Sequence, residues 1–244
     1  MTAKPFSLNV DTARSTATIE LIRPDIGNRL TADDVADLGR TIRAAGGRPD
    51  VKIVVVRAQG EAFCLGRVPG TGPAPKTAHA IRSQVAEPIL SLYADVRACE
   101  VPVLAVVQGP ALGFGSAFVG VCDLGIATEK ARFAFTEMDH NLPPTLAMSA
   151  VIDKIPAKRL MHLVMTRELI GPDEALALGL ISQVTTTAKL EATTTTTVGR
   201  LIDRDRSAVC AVKEYLLTAL QLDTAASARL GANMIAVILS SQSH

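Results

Sequence analysis

The sequence predicts an α/β protein, and three observations carry that reading. Strand, loop and helix units recur from about residue 16 to residue 184. The stretches 51–57 and 102–107 hold apolar runs of the kind found in strands covered on both faces. The composition is 48% hydrophobic but only 3% aromatic, so the core must be built from Ala, Val, Leu and Ile.

The elements follow in order. Residues 6–10 and 16–22 are short β-prone runs joined by a polar turn, which is the pattern of a hairpin. Thr31 followed by Asp33 and Asp34 reads as a helix N-cap with an acidic first turn. Val35, Leu38 and Ile42 then recur at helical spacing, and Gly46 and Gly47 end the helix. Residues 51–57 are a buried strand, 60–66 a loop, and 67–77 a Gly- and Pro-rich stretch expected to be mobile. A helix is expected over 79–99. Residues 102–107 form a second buried strand that runs into the glycine-dense turn Gly109-Pro-Ala-Leu-Gly-Phe-Gly115 and a helix to about Val121. A third strand covers 123–128. Residues 146–167 read as mostly helical with a break near Pro156. Pro172 opens a short helix that Gly179 closes. The five threonines at 193–197 have poor helix propensity, and a linker is one reading of them. Beyond them Val209, Val212, Leu216 and Leu220 share one helical face, as do Leu230, Met234 and Ile238. Such faces call for burial against the main body or a second subunit.

Charge and composition exclude several classes. With 25 Lys plus Arg against 24 Asp plus Glu, the net charge is +1, and the chain lacks the basic face and stacking rings of a nucleic-acid binder. No window of about 18 apolar residues marks a membrane span, and the first ten residues do not read as a secretory signal. Cys64, Cys99, Cys122 and Cys210 are far apart, and His79, His140, His162 and His244 are scattered. No metal site is expected, and reduced thiols in a cytoplasmic protein are the plain reading. The glycine turn fails the dinucleotide fingerprint, because Phe118 stands where the third glycine belongs, and no phosphate-binding GK[ST] occurs.

Two strand-to-loop junctions remain as candidate chemistry. One is Gly60-Glu-Ala-Phe-Cys-Leu-Gly66-Arg67; the other is the turn ending at Gly113-Phe-Gly115-Ser-Ala117. Each leaves backbone N–H groups exposed where a sharp turn departs from a strand. Two such groups aimed at one point make an oxyanion hole, worth about 3 kcal/mol per donor in a transition state. Ordinary loop chemistry is the alternative for either turn alone.

Taken together, the segments resemble the enoyl-CoA hydratase/isomerase (crotonase) superfamily. The likeness runs through Arg23-Pro24, Asn28-Arg-Leu-Thr31, the Gly-x-Ala-Phe-Cys-x-Gly segment at 60–66 and the Val-Pro-x-x-Ala pattern from 101. It continues through Ala-Leu-Gly-x-Gly at 111–115, Cys122-Asp123, Ala131-x-Phe133 and the Gly-Leu-Ile-Ser-Gln-Val ending at Val184. It spans about residues 16–222. The resemblance implies a spiral of repeated ββα units over residues 1–190 and a C-terminal helical region over 191–244 that drives trimer formation, with a homotrimer or dimer of trimers as the assembly. It implies an acyl-coenzyme A thioester as substrate, with no other cofactor and no metal. The shared chemistry is stabilisation of a thioester enolate by two backbone N–H groups, carried here by Arg67 and Phe114. Ala62, Cys64, Leu65, Gly66 and Gly113 would line the substrate, and residues 68–83 would form one wall.

The resemblance also marks departures. Of the two glutamates used by family hydratases, the first position is Ala117, which cannot titrate, and the second is Glu137. Burial of Glu137 among Phe133, Phe135 and Met138 would raise its pKa toward neutrality, where an acid/base works best; a solvated loop carboxylate is the alternative. Asp139 and His140 lie close behind and are candidates for a second proton-transfer group. Phe114 replaces a glycine, and its bulk could reshape the pocket. Arg67 is read as a surface residue, a contact to the CoA phosphates, or a contact to an acidic acyl group. The expected function is therefore an acyl-CoA hydratase, isomerase or lyase using Glu137. The rival is a catalytically weak CoA-thioester binder or structural homologue, and a hydrolase using Ser116 is a remote third reading that lacks GxSxG.

Overall fold

The computed structural model describes residues 4–68 and 75–241. Most of the stretch 67–77, expected to be mobile, and part of the proposed wall 68–83 lie outside the described residues.

Strands β1 (Phe6–Asp11) and β2 (Thr16–Leu21) form the expected antiparallel hairpin, paired from Phe6 with Leu21 to Asp11 with Thr16. Helix α1 (Ala32–Gly46) starts at Thr31 in a full capping box: Thr31 Oγ1 accepts the Asp34 N–H, and Asp34 Oδ2 accepts the Thr31 N–H. Its Val35, Leu38 and Ile42 are buried, as their spacing predicts. Strand β3 (Ile53–Ala58) runs parallel to β2.

The helix expected over 79–99 is divided. Helix α2 (Ala78–Ile81) passes through a π-helical turn, Arg82–Ala86, into α3 (Glu87–Arg97). Pro88 stands at the start of α3 and has no N–H to give the preceding turn. The ladder widens there, with the Glu87 N–H reaching back to Arg82 O.

Strand β4 (Val103–Val107) lies parallel to β3. The two-residue β5 (Ala111–Leu112) follows, then α4 (Phe114–Val121), β6 (Leu124–Thr128) and β7 (Phe133–Ala134). Helices α5 (Thr145–Val151) and α6 (Ala157–Thr166) are separated at Pro156 as expected. Helix α7 (Pro172–Ala177) and strand β8 (Gln183–Thr185) complete the sheet. Its order is β1-β2-β3-β4-β6-β8, parallel from β2 onward, while β5 pairs with β7 in a second, smaller sheet.

The second sheet is continued by isolated bridges joining Leu30 to Arg67, Cys64 to Ala111, and Phe133 to Ile170. Each winding of the chain thus contributes one strand to the large sheet, one short strand to the small sheet, and a helix. That is the spiral the family resemblance implies. The period-2 alternation of β3 and β4 explains their unbroken apolarity. Val54, Val56, Val103, Ala105 and Val107 enter the main core, while Ile53, Val55, Leu104 and Val106 face a second cluster on the other side.

That second cluster is covered by α8 (Leu190–Ile202), through Leu190 and Val198. Here the linker reading of residues 193–197 is corrected. The five threonines lie inside α8, with Thr194 buried, Thr196 Oγ1 donating back to Ala192 O at 2.8 Å, and Thr193 Oγ1 2.9 Å from Thr185 Oγ1. Packing against the sheet outweighs the weak helix propensity of threonine.

Helices α9 (Arg206–Ala219) and α10 (Thr224–Ser241) pack on each other. Val209 is buried, and Lys213 on the same helix reaches into the main body, where Nζ donates to Val96 O, Val101 O and Asp123 Oδ2 at 2.7–3.2 Å. The rest of the expected α9 face stays open, since Val212, Leu216 and Leu220 are exposed; on α10 the expected face of Leu230, Met234 and Ile238 is half-buried, while Ile235, Val237 and Leu239 are exposed. Among the described residues no helix is long and apolar enough to cross a membrane, and no cluster of His, Cys, Asp or Glu could hold a metal ion.

Candidate active site

The site is assembled from three successive windings. The first contributes the segment from Ala62 to Arg67, at the end of the loop leaving β3. Asn28 fixes that loop. It is buried and left-handed, its Nδ2 donates to Gln59 O (2.8 Å) and Ala62 O (2.9 Å), and its Oδ1 accepts the Arg23 N–H (3.0 Å). Gln108 holds the same loop from the other side through Gly60 O and Ala62 O. The Leu65 N–H donates to Gly27 O at 2.9 Å, and Leu65 packs against Gly27 so closely that a Cβ there would overlap it. Cys64 is fully buried. Burial pushes its thiol up to about 11, so it is a packing residue and not a thiolate.

The second winding contributes Gly113 and Phe114. The Leu112 N–H donates to Cys64 O (2.9 Å) and the Gly113 N–H to Ala134 O (2.8 Å), which stitches the three segments side by side. A Cβ on Gly115 would overlap Cys64 O, so only glycine lets the N-terminus of α4 come this close to the first segment. Gly113, at φ +52° and ψ −117°, makes the sharp turn from β5 into α4, a backbone conformation that side chains resist. Ser116 is buried just behind. Its hydroxyl lies 2.6 Å from Ala111 O and 2.9 Å from Ala134 O, and it accepts the Ala134 N–H at 3.1 Å. It clamps β5 to β7, which removes the hydrolase reading.

Phe114 does not crowd the opening as its bulk suggested. Its ring is 6% exposed and stacks on Phe118 at 6.0 Å between centroids, and Phe118 in turn stacks on Phe63. The ring is spent in the core, and the backbone stays at the turn. Around the two candidate donors, the neighbouring backbone groups bond to each other. The Val68 N–H goes to Leu30 O, the Leu30 N–H to Gly66 O, and the Ala117 N–H to Gly113 O. Among the described residues the N–H groups of Arg67 and Phe114 themselves have no acceptor.

The third winding contributes Glu137, at the start of a short 3-10 turn, Glu137–His140, that follows β7. Its carboxylate comes up against Gly113, where a Cβ would stand 3.4 Å from Oε1. Its Oε2 is buried without a hydrogen-bond partner. Burial raises its pKa above the usual glutamate value. Bonding to its own backbone and the nearby positive charge of Arg67 offset this only in part. Phe133 and Phe135, which precede it in the chain, are buried.

Asp139 and His140 take a different place from the one expected. Asp139 is exposed and pairs with Arg167 at 2.8 Å, and His140 is exposed as well. The 3-10 turn points successive side chains in different directions, so sequence proximity to Glu137 does not bring them into its setting. Ala117, at the vacated glutamate position, is fully buried.

One neighbour escaped the sequence reading. Tyr93 on α3 is buried, and the charges of Glu137 and Arg67 both act on its phenol, which burial holds above the usual tyrosine range. Helical spacing shows only that it faces the core. The available signal was its rarity, since it is one of two tyrosines in the chain.

Comparison with known proteins bears on this geometry. A family model described as enoyl-CoA hydratase/isomerase matches residues 11–244. The chain is 31% identical over 183 residues to (E)-benzylidenesuccinyl-CoA hydratase of Thauera aromatica, covering 74% of this chain and 69% of that protein. It is 27% identical over 194 residues to the probable enoyl-CoA hydratase echA6 of Mycobacterium tuberculosis, covering 76% and 73%. Among solved structures, an enoyl-CoA hydratase of Mycobacterium smegmatis superposes with a TM-score of 0.91 at 24% identity, over 97% of this chain and 91% of that one. A putative enoyl-CoA hydratase of Thermobifida fusca in complex with CoA gives 0.87 at 26% identity, over 98% and 95%.

Proposed function

The chain belongs to the enoyl-CoA hydratase/isomerase family, and from that premise we propose that it is an acyl-CoA enzyme in which Glu137 is the acid/base and the N–H groups of Arg67 and Phe114 hold the thioester oxygen. The observation that carries this is the pairing of an unpartnered, buried carboxylate oxygen on Glu137 with the turn Gly113–Phe114 directly against it. A buried polar atom without a partner is costly and persists where a ligand will meet it.

In this reading the thioester carbonyl accepts both N–H groups. Negative charge developing on its oxygen is stabilised by about 3 kcal/mol per donor. Glu137, poorly solvated, in its carboxylate form removes a proton from the acyl chain or from an attacking water, and returns it at a second position. With Ala117 in place of a second carboxylate, one group must do both transfers, which suits isomerisation or addition to an activated alkene. The CoA complex of the Thermobifida fusca relative supports the ligand class. The open faces of α9 and α10 are assigned to self-association as a homotrimer or dimer of trimers. On that division the spiral to residue 190 carries the chemistry, and residues 191–244 carry assembly.

The test is Glu137→Gln against wild type on a panel of enoyl-CoA thioesters, with hydrated and isomerised products both measured. The expected loss in kcat is about 10²- to 10⁴-fold, the usual range for a positioned acid/base. Equal rates would overturn the role of Glu137. Binding of acyl-CoA without turnover by wild type would favour the rival reading, a CoA-thioester binder, to which the buried Ala117 points.

A further inference from the structure

Arg67 has two separable parts. Its backbone N–H is the candidate oxyanion donor, and its side chain is unaccounted for. The other partly buried arginines all have acceptors: Arg23, Arg57, Arg159 and Arg206 meet carboxylates on Asp34, Glu191, Glu174 and Glu100, and Arg29, Arg97 and Arg132 donate to backbone carbonyls. The Arg67 guanidinium is also withdrawn from solvent, enough that burial opposes its charge, yet among the described residues it has no ion pair and no hydrogen-bond acceptor. Residues 69–74 that follow it include no Asp or Glu. Arginine cannot shed its charge, so a desolvated guanidinium without a counter-ion is expensive.

The nearest candidate counter-ion is Glu137, and the two do not close. Arg67 follows Gly66, whose Cα faces Leu112 O. Gly113 comes next, and Glu137 Oε1 lies against it. The charges act on one another across this space, but Oε2 of Glu137 remains unpartnered. An opposite pair that faces one space without joining leaves room for a ligand between. The Tyr93 phenol is buried on α3, feels both of these charges, and has no hydrogen-bond partner among the described residues.

We infer that the Arg67 guanidinium, with the Tyr93 hydroxyl beside it, binds a second carboxylate carried by the acyl chain, so that the substrate is the mono-CoA thioester of a dicarboxylic acid. This rests on the acyl-CoA reading above. A phosphate of CoA is the other anion on offer. The pantetheine arm holds the phosphates far from the thioester, whereas Arg67 stands at the reacting end, beside Glu137. The planar guanidinium fork suits bidentate carboxylate binding, and a hydroxyl donor completes it.

The experiment compares glutaconyl-CoA, an enoyl thioester with a distal carboxylate, with the neutral crotonyl-CoA. The readout is the ratio of their kcat/KM values in wild type, Arg67→Met, Arg67→Lys and Tyr93→Phe. Affinities for the unreactive glutaryl-CoA and butyryl-CoA are measured by calorimetry in the same proteins. Wild type is expected to favour the dicarboxylic partner. Arg67→Met should lower that ratio by about 30-fold or more, the usual effect of removing one side of a desolvated charge pair. Arg67→Lys should recover part of it, and Tyr93→Phe should lower it by a smaller factor. An unchanged ratio in Arg67→Met, or a wild type with no preference, overturns the inference. Equal losses on both substrates would assign Arg67 to the CoA phosphates and also overturn it. If wild type turns over neither thioester but binds glutaryl-CoA over butyryl-CoA in an Arg67-dependent way, the carboxylate site stands and the catalytic proposal falls. If it binds neither, both fall. Circular dichroism identifies any variant that does not fold, and the lysine variant then carries the test.

Discussion

Glu137 lies against Gly113: a Cβ at that glycine would stand 3.4 Å from Oε1 and 3.1 Å from the Thr136 hydroxyl. The candidate base and the turn presenting the Phe114 N–H are therefore one packed unit. Gly113→Ala would add a methyl group into this contact, at a backbone geometry (φ +52°) that alanine resists. A loss of about 1–3 kcal/mol in urea unfolding is expected. A fall in kcat of at least about tenfold should accompany it, since misplacement of a donor or base weakens the transition state directly. Full activity in the alanine variant would separate the turn from the chemistry.

The raised pKa of Glu137 gives two signed expectations. As a base it must be ionised, so the acid limb of kcat should lie above the ordinary glutamate range. Arg67→Met should move that limb to still higher pH, because the arginine favours the carboxylate. On stability the sign is opposite. A carboxyl whose folded pKa exceeds its unfolded value makes its favourable contribution below the unfolded pKa, and loses it as pH rises through the folded one. Glu137→Gln should therefore be more stable than wild type at pH 8, with the gap closing toward pH 4. Paired denaturant titrations across this range check it.

Lys213 is the tie between α9 and the spiral. Its ammonium is buried, with Asp123 Oδ2 at 2.7 Å and two carbonyl partners. Burial nevertheless holds Asp123 above the usual aspartate range, so desolvation outweighs what the pair returns. Lys213→Met should destabilise by about 3–5 kcal/mol by stranding that carboxylate. The deficit should shrink on acidification as Asp123 takes up a proton. Adding Asp123→Leu should recover much of the loss, and strict additivity of the two substitutions would contradict a coupled pair.

Restoring the missing carboxylate by Ala117→Glu should not restore a dyad. Ala117 is fully buried in the main core, where Phe63 and Phe118 also lie. A glutamate there meets desolvation and overpacking, at a cost of about 2 kcal/mol or more. Lower thermal stability without faster hydration is the expected outcome. A gain in hydration would show that the pocket can open around that position.

The strands, the capped first helix and the turn glycines were legible in the sequence because each rests on local chemistry. The capping box at Thr31 and Asp34 and the alternation of β3 need no distant partner to be read. The threonines at 193–197 were not legible, since their helix exists only against the sheet face that Ile53, Val55 and Leu104 build. The site was legible in part. Glu137 and the two glycine turns came from ordered motifs, whereas the exposed pairing of Asp139 with Arg167 depends on the turn that rotates it outward. Tyr93 lay hidden for the same reason as the threonines: its neighbours come from other windings of the chain.

The winding also sets when the site can come into being. β2 pairs with β3, β3 with β4, β4 with β6 and β6 with β8, each parallel and each across a long connection. Such pairings form late, because loop closure precedes their reward. Arg67, Phe114 and Glu137 enter on three consecutive windings, so a chain released early from synthesis, or refolded only in part, holds the candidate donors without the candidate base. Recovery of activity on refolding should therefore lag behind recovery of helix signal, making catalysis itself a reporter of the last winding to dock.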